Sequence, residues 1–211
     1  MKQVFLVLVL LSQVTISCKV SAQIIREGDI VFQTLPCGGL CDAIIATTPC
    51  ENDRRFNHCG VIHMKGGQPY VVEAIGQKVQ ETPLSRFTAR DTAVKLAIGR
   101  PRYKNAAEAR AAAAKAASYI GRPYDDPFLP GDSALYCSEL VLESCHSSGK
   151  PMFHTAPMTF KAGGETHMAW QEYYRSLGAP IPEGIPGINP CAIANSAQLS
   201  FFRIPKQRLH L

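Results

Sequence analysis

The stretch Asn57-His58-Cys59-Gly60-Val61-Ile62-His63-Met64-Lys65-Gly66-Gly67-Gln68-Pro69-Tyr70-Val71-Val72-Glu73-Ala74-Ile75 holds two runs rich in valine and isoleucine around a glycine pair. That pattern predicts a β-hairpin. A loop at residues 64–67 sets His63 against Gln68 and His58 directly against Glu73, with Cβ atoms roughly 4.5–5.5 Å apart. A loop at residues 66–69 leaves both on one face but four positions apart, out of contact. In the first register a carboxylate can orient the imidazole and stabilise its charged form. His63 and Cys59 point away from the His58 face.

Outward from the hairpin, Gly28-Asp29-Ile30-Val31-Phe32 reads as a turn into a strand. Residues 37–50 read as a Gly- and Cys-rich stretch around a short helix at 43–46, and residues 77–81 and 93–98 as further antiparallel strands. Asn105 caps an alanine-rich helix that runs to Ile120 and stops at Gly121 ahead of Arg122-Pro123. A Pro/Gly-punctuated loop at 124–133 leads to a helix from Cys137 to about His146. A helix over 165–177, a Pro/Gly-rich stretch at 178–190 and an apolar segment at 199–204 complete the chain. Strands followed by helices predict an α+β fold, with residues 23–211 as one domain.

The N-terminus carries Lys2, an apolar run from Val4 to Leu11, and Val20-Ser21-Ala22 before Gln23. This is the layout of a signal peptide over residues 1–22, which places the mature protein outside the cytoplasm, secreted or periplasmic. A lipid-modified Cys18 is the second-ranked reading of the same segment. No later segment is apolar for long enough to cross a bilayer. The net charge of +5 falls to +3 without Lys2 and Lys19, and no basic block or aromatic-interleaved stripe appears, so nucleic acid is not an expected partner.

Of the eight cysteines, loss of Cys18 leaves seven, an odd number that implies a thiol kept free for chemistry or an intermolecular bridge. The expectation is one free thiol, Cys137, with the other six in bridges and Cys37–Cys41 the most plausible local pair. A zinc site of Cys37, Cys41, Cys50 and Cys59 lacks the tight pair spacing of zinc knuckles. No metal or cofactor is expected. Cys145, eight residues after Cys137 on one helix, is about 12 Å away along the axis and cannot bridge it.

Cys137 opens its helix, where unpaired N–H groups and the helix dipole favour the thiolate and can hold an oxyanion. From position alone, a buried packing cysteine or half of a disulfide is the favoured reading. Joined to His58 and Glu73, the cysteine completes a candidate catalytic set of nucleophile, base and orienting acid.

Several pieces resemble the YiiX/YebB-like branch of the NlpC-related, papain-like cysteine hydrolases. They are Gly28-Asp29-Ile30-Val31-Phe32, Ala43-Ile44-Ile45-Ala46-Thr47, Asn57-His58-Cys59-Gly60-Val61-Ile62, Val72-Glu73-Ala74, Thr82-Pro83-Leu84, Gly121-Arg122-Pro123-Tyr124-Asp125 and Tyr136-Cys137-Ser138-Glu139-Leu140-Val141. That branch is circularly permuted, so histidine and acid precede cysteine, as His58, Glu73 and Cys137 do. The resemblance implies a sheet bearing histidine and acid packed against a helix whose first turn bears the cysteine. It also implies that Tyr124 lines the site and donates to the oxyanion. Asn57 stands where serine is commoner.

The activity implied is hydrolysis of an amide through a thioester, the substrate being a peptide, a cell-wall stem peptide or an N-acyl lipid. Transfer of the acyl group to an amine or alcohol, as in lecithin retinol acyltransferase relatives, is a second reading. A catalytically silent lipid- or peptide-binding module is a third. Residues 178–190, with Pro180, Pro182, Pro186 and Pro190, are expected to border the cleft.

Overall fold

In the computed structural model, which describes residues 25–131 and 133–209, six strands form one antiparallel sheet. Residues 1–22, expected to form a signal peptide, and Cys18 among them lie outside the described residues. The strands are β1 (Ile30–Gln33), β2 (His58–Lys65), β3 (Gln68–Ile75), β4 (Lys78–Pro83), β5 (Lys95–Pro101) and β6 (Leu199–Pro205), in the order β6-β5-β1-β2-β3-β4. The helices are α1 (Gly39–Thr47), α2 (Leu84–Ala89), α3 (Ala106–Ser118), α4 (Cys137–Ser144), α5 (Met168–Leu177) and α6 (Pro190–Ala194).

The central strands are apolar in both directions because both faces of the sheet are covered. Ile30, Phe32, Cys59, Val61, Val72 and Ala74 pack with residues of α3 and α4, including Ala113, Ala116, Leu140 and Val141. The alternate residues Val31, Ile62, Val71 and Ile98 pack with Leu84 and Phe87 of α2 and with Ile25 and Leu209. Alanine suits the inner face of α3, since a small side chain lets a helix approach a sheet closely. The helix starts where Asn105 accepts from Ala107 N–H (2.9 Å) and Glu108 N–H (3.1 Å). At its end Tyr119 is the C-cap and Gly121 has φ 94°. Asp29, buried at the entrance to β1, is held by Arg100 of β5 through Nε (2.8 Å) and Nη2 (2.7 Å).

The hairpin turn is shorter than either sequence register assumes. Gly66 and Gly67 both have positive φ, 56° and 80°, and close a two-residue turn. Lys65 therefore pairs with Gln68, and Val61 with Val72. This corrects the expectation that His58 lies directly opposite Glu73. The two are offset by two positions on one face, a diagonal pair still within reach of long side chains. The helix at 84–89 is absent from the sequence reading, and that expected over 165–177 begins at Met168, because residues Glu165–Thr166 pair with Lys161–Ala162.

Candidate active site

Cys137 is the first residue of α4, and Tyr136 before it is extended. The helix ladder begins with Leu140 N–H donating to Tyr136 C=O (3.0 Å), so the Cys137 and Ser138 N–H groups precede it at the positive end of the dipole. His58 opens β2 at the mouth of the hairpin, beyond the last β2–β3 pair at Val61–Val72. Its Nε2–H donates to Glu73 Oε2 at 2.6 Å, the carboxylate being able only to accept, and its ring is also hydrogen-bonded to the Cys137 thiol. With Nε2 committed to Glu73, Nδ1 is the nitrogen left for sulfur. Glu73, fully buried at 0% exposure, is not a solvent-facing strand residue.

Cys137 and His58 are 6% and 4% exposed and sit within the packed interior. Of the two, Cys137 lines a cavity and His58 does not. Cys59 does lie on the opposite face of β2 from His58, but α4 covers that face, so Cys59 touches Cys137 instead of avoiding it.

The electrostatics favour an ion pair. A hydrogen bond from Cys59 holds the Cys137 pKa well below the usual thiol range. Burial opposes this, but the hydrogen bond and charge of His58 add to the lowering. Burial alone would depress His58, but its bonds to Cys137 and Glu73 and their charges prevail and lift it to about 9. Glu73 is held below the usual carboxylate range: burial pushes it up, and His58, Arg90 and Thr82 outweigh burial. Burial pushes Cys145 up to about 12, and Tyr103 O–H donates to its Sγ at 3.3 Å.

Arg90 is the functional residue that sequence reasoning misses. Its Nη2 donates to Glu73 Oε1 (2.8 Å) and Oε2 (2.7 Å) and reaches Gln33 Oε1 (3.3 Å). It is the C-cap of α2, a helix that no sequence pattern announced. A buried carboxylate calls for a cation, but nothing in the sequence says which one.

Tyr124 stands beside Cys137 in the wall of a cavity of about 270 Å³. It is carried there by a strip along the β4 edge, in which Val79 N–H donates to Arg122 C=O and Tyr124 N–H to Gln77 C=O. Burial and the neighbouring Cys137 charge raise its pKa, so its O–H stays protonated as a donor. The Pro/Gly-rich stretch does border the cavity: Gly187, Ile188, Asn189 and Pro190 line it, and Ser138 Oγ–H donates to Ile188 C=O at 2.9 Å.

Disulfides join Cys37 to Cys41 and Cys50 to Cys191, and Cys59, Cys137 and Cys145 are free. The first bridge matches the sequence expectation. The count of one free thiol is corrected to three among the described residues, because Cys59 and Cys145 are buried at packing positions with no bridging partner. Three of the four cysteines weighed as zinc ligands are oxidised.

The Cys50–Cys191 bridge ties the wall segment Thr47-Thr48-Pro49 to the wall residues Asn189, Pro190 and Ala192. Its ends lie 141 residues apart, so the constraint on the unfolded chain is large. The double variant Cys50→Ala/Cys191→Ala is expected to lose about 2–5 kcal/mol, read as a lower urea midpoint. An unchanged midpoint would show the bridge to be dispensable.

The chain matches the family described as "Permuted papain-like amidase enzyme, YaeF/YiiX, C92 family" over residues 24–202. A curated relative, the uncharacterized protein YiiX of Escherichia coli strain K12, is 32% identical over 117 residues, 55% of this chain and 55% of that protein. The chain thus matches about half the length of that relative. The crystal structure of the metalloprotein yiiX from Escherichia coli O157:H7 superposes with a TM-score of 0.71 at 26% identity, covering 84% of this chain and 96% of that one. Among the described residues here, no group of three or more His, Cys, Asp or Glu side chains is arranged to hold a metal ion. The antiparallel sheet flanked by helices, the order of histidine, acid and cysteine, and the family match over most of its length place this α+β chain among the permuted papain-like amidase enzymes of the YaeF/YiiX, C92 family.

Proposed function

We propose that the protein is an extracytoplasmic cysteine hydrolase that cleaves an amide bond through a thioester on Cys137. The observation that carries this reading is the hydrogen-bonded series Cys137, His58, Glu73 at a helix N-terminus. The Cys137 thiolate attacks the carbonyl carbon. The oxyanion that forms is held by the opening N–H groups of α4 and by Tyr124 O–H. His58 gives its proton to the leaving amine as the C–N bond breaks, and then takes one from the water that releases the acid. Glu73 keeps the ring oriented and its charged form stable, and Arg90 keeps Glu73 ionised. The extracytoplasmic assignment rests on the N-terminal sequence, and the two disulfides are in keeping with it.

The pH dependence tests the ion pair. The active form holds a thiolate and an imidazolium, so kcat/KM is expected to rise with pH as Cys137 ionises, below the usual thiol range. It should fall again as His58 loses its proton near 9. Because the folded-state pKa of His58 is raised, its contribution to stability is complete below about 6.5 and is lost as pH rises through about 9. Iodoacetamide should alkylate Cys137 in preference to Cys59 and Cys145 at pH 6, read by peptide mass spectrometry. Equal labelling of the three thiols would remove the basis of the assignment.

A further inference from the structure

The cavity at Cys137 is walled by Ile44, Phe128, Met158, Phe160, Trp170 and Ile188; His154 and several hydroxyl and amide side chains also reach it, but no Asp, Glu, Lys or Arg is present among the described residues that line it. Its walls are firmly set. Trp170 packs edge-on against Phe160 (5.0 Å) and Phe128 (5.8 Å), and its Nε1–H donates to Thr47 Oγ1 at 3.2 Å. Met158 lies against bare backbone, since a Cβ on Gly187 would stand 2.3 Å from its sulfur. A charged group entering this space would lose its water with no carboxylate, lysine or arginine to replace it. An apolar chain gains from the same burial, and gains more with each methylene.

The position of His58 says which half of the substrate enters. The imidazole protonates the leaving amine, so the amine departs on the His58 side of the sulfur. His58 does not line the cavity, whereas Cys137, Ser138 and Tyr136 do. The cavity therefore lies on the acyl side. Its 270 Å³ equals roughly nine water volumes, room for an unbranched chain of roughly eight to ten carbons.

We propose, resting on the thiol-amidase reading, that the acyl side of the substrate is an uncharged, medium-length fatty acyl group, making the substrate class an N-acyl amide and not a charged cell-wall stem peptide. In the reaction the acyl carbon bonds to Cys137 Sγ as the C–N bond breaks, and the amine leaves with the proton of His58. Water then cleaves the thioester, releasing the fatty acid and restoring the starting protonation of the pair.

The test uses the full chain with the 4-nitroanilides of acetic acid, octanoic acid, N-acetylphenylalanine and γ-glutamic acid. The octanoyl amide is expected to exceed the acetyl amide in kcat/KM by about tenfold or more, with no cleavage of the glutamyl amide. Ile44→Trp should lower the octanoyl-to-acetyl ratio by about tenfold, and Met158→Ala, on a different element, should move the preference to longer chains. A preference for the acetyl, glutamyl or phenylalanyl amide overturns the acyl assignment, and selective alkylation of Cys137 would leave the thiol-amidase reading standing. No cleavage of any amide together with an unreactive Cys137 overturns both.

Discussion

Cys137→Ala is expected to reduce amide turnover by at least about 10⁴-fold, because the thioester cannot form and only binding and the oxyanion donors remain. The urea midpoint should hardly change: the substitution removes one sulfur from a packed position at the start of a helix that is anchored by its other residues. His58→Ala should cost a comparable factor in turnover, but with a loss of stability as well, since it opens a gap in the interior and deprives buried Glu73 of a partner 2.6 Å away. Glu73→Gln should cost less, roughly 10²–10⁴-fold, because an amide still orients the ring but does not stabilise its charge. Steady-state kinetics of the three variants on one amide substrate gives the ranking. If Glu73→Gln proves more damaging than His58→Ala, the roles of base and orienting group are misassigned.

Arg90→Met should have the largest effect on stability of any single change at the site, on the order of 3 kcal/mol. Glu73 has no exposure to water, and both of its oxygens accept from Arg90 Nη2. With the guanidinium gone, a buried carboxylate is left with His58 and Thr82 as its partners. The comparison that isolates the pair is a double-mutant cycle. Arg90→Met in a Glu73→Gln background should cost much less than in the native chain, because the carboxylate that needed the cation is no longer there. Equal costs in the two backgrounds would mean that Arg90 acts through packing on Phe87, whose ring lies 5.1 Å from its guanidinium, and not through Glu73.

Much of this protein is legible in its sequence because the signals are local. Valine- and isoleucine-rich runs around Gly66-Gly67 encode a hairpin, Asn105 and the alanines encode a capped helix, and the stretch before Cys137 ends where a helix can begin. The spacing of Cys37 and Cys41 around two glycines encodes a short bridge, observed with a Cα–Cα distance of 5.4 Å. The residues of the candidate site were likewise proposed from sequence, since His58, Glu73, Tyr124 and Cys137 each stand in a motif that resembles the permuted papain-like family.

What tertiary structure alone decided is how these pieces meet. The hairpin register depends on the turn taking two residues, a choice between backbone conformations that glycine permits in several forms, and it sets His58 and Glu73 diagonally. The face on which α4 packs is a long-range choice, and it brought Cys59 to Cys137 and buried both Cys137 and His58. Arg90 follows a helix too short to leave a periodic pattern, and it reaches Glu73 only through the path of the chain between them. The cavity is assembled from α1, the loop before α4, α5 and the stretch ahead of α6, segments far apart in sequence. Apolar residues in each segment read as ordinary core. Only their convergence on one sulfur makes them the walls of a cavity, because a wall is defined by what faces it across space and not by its neighbours along the chain.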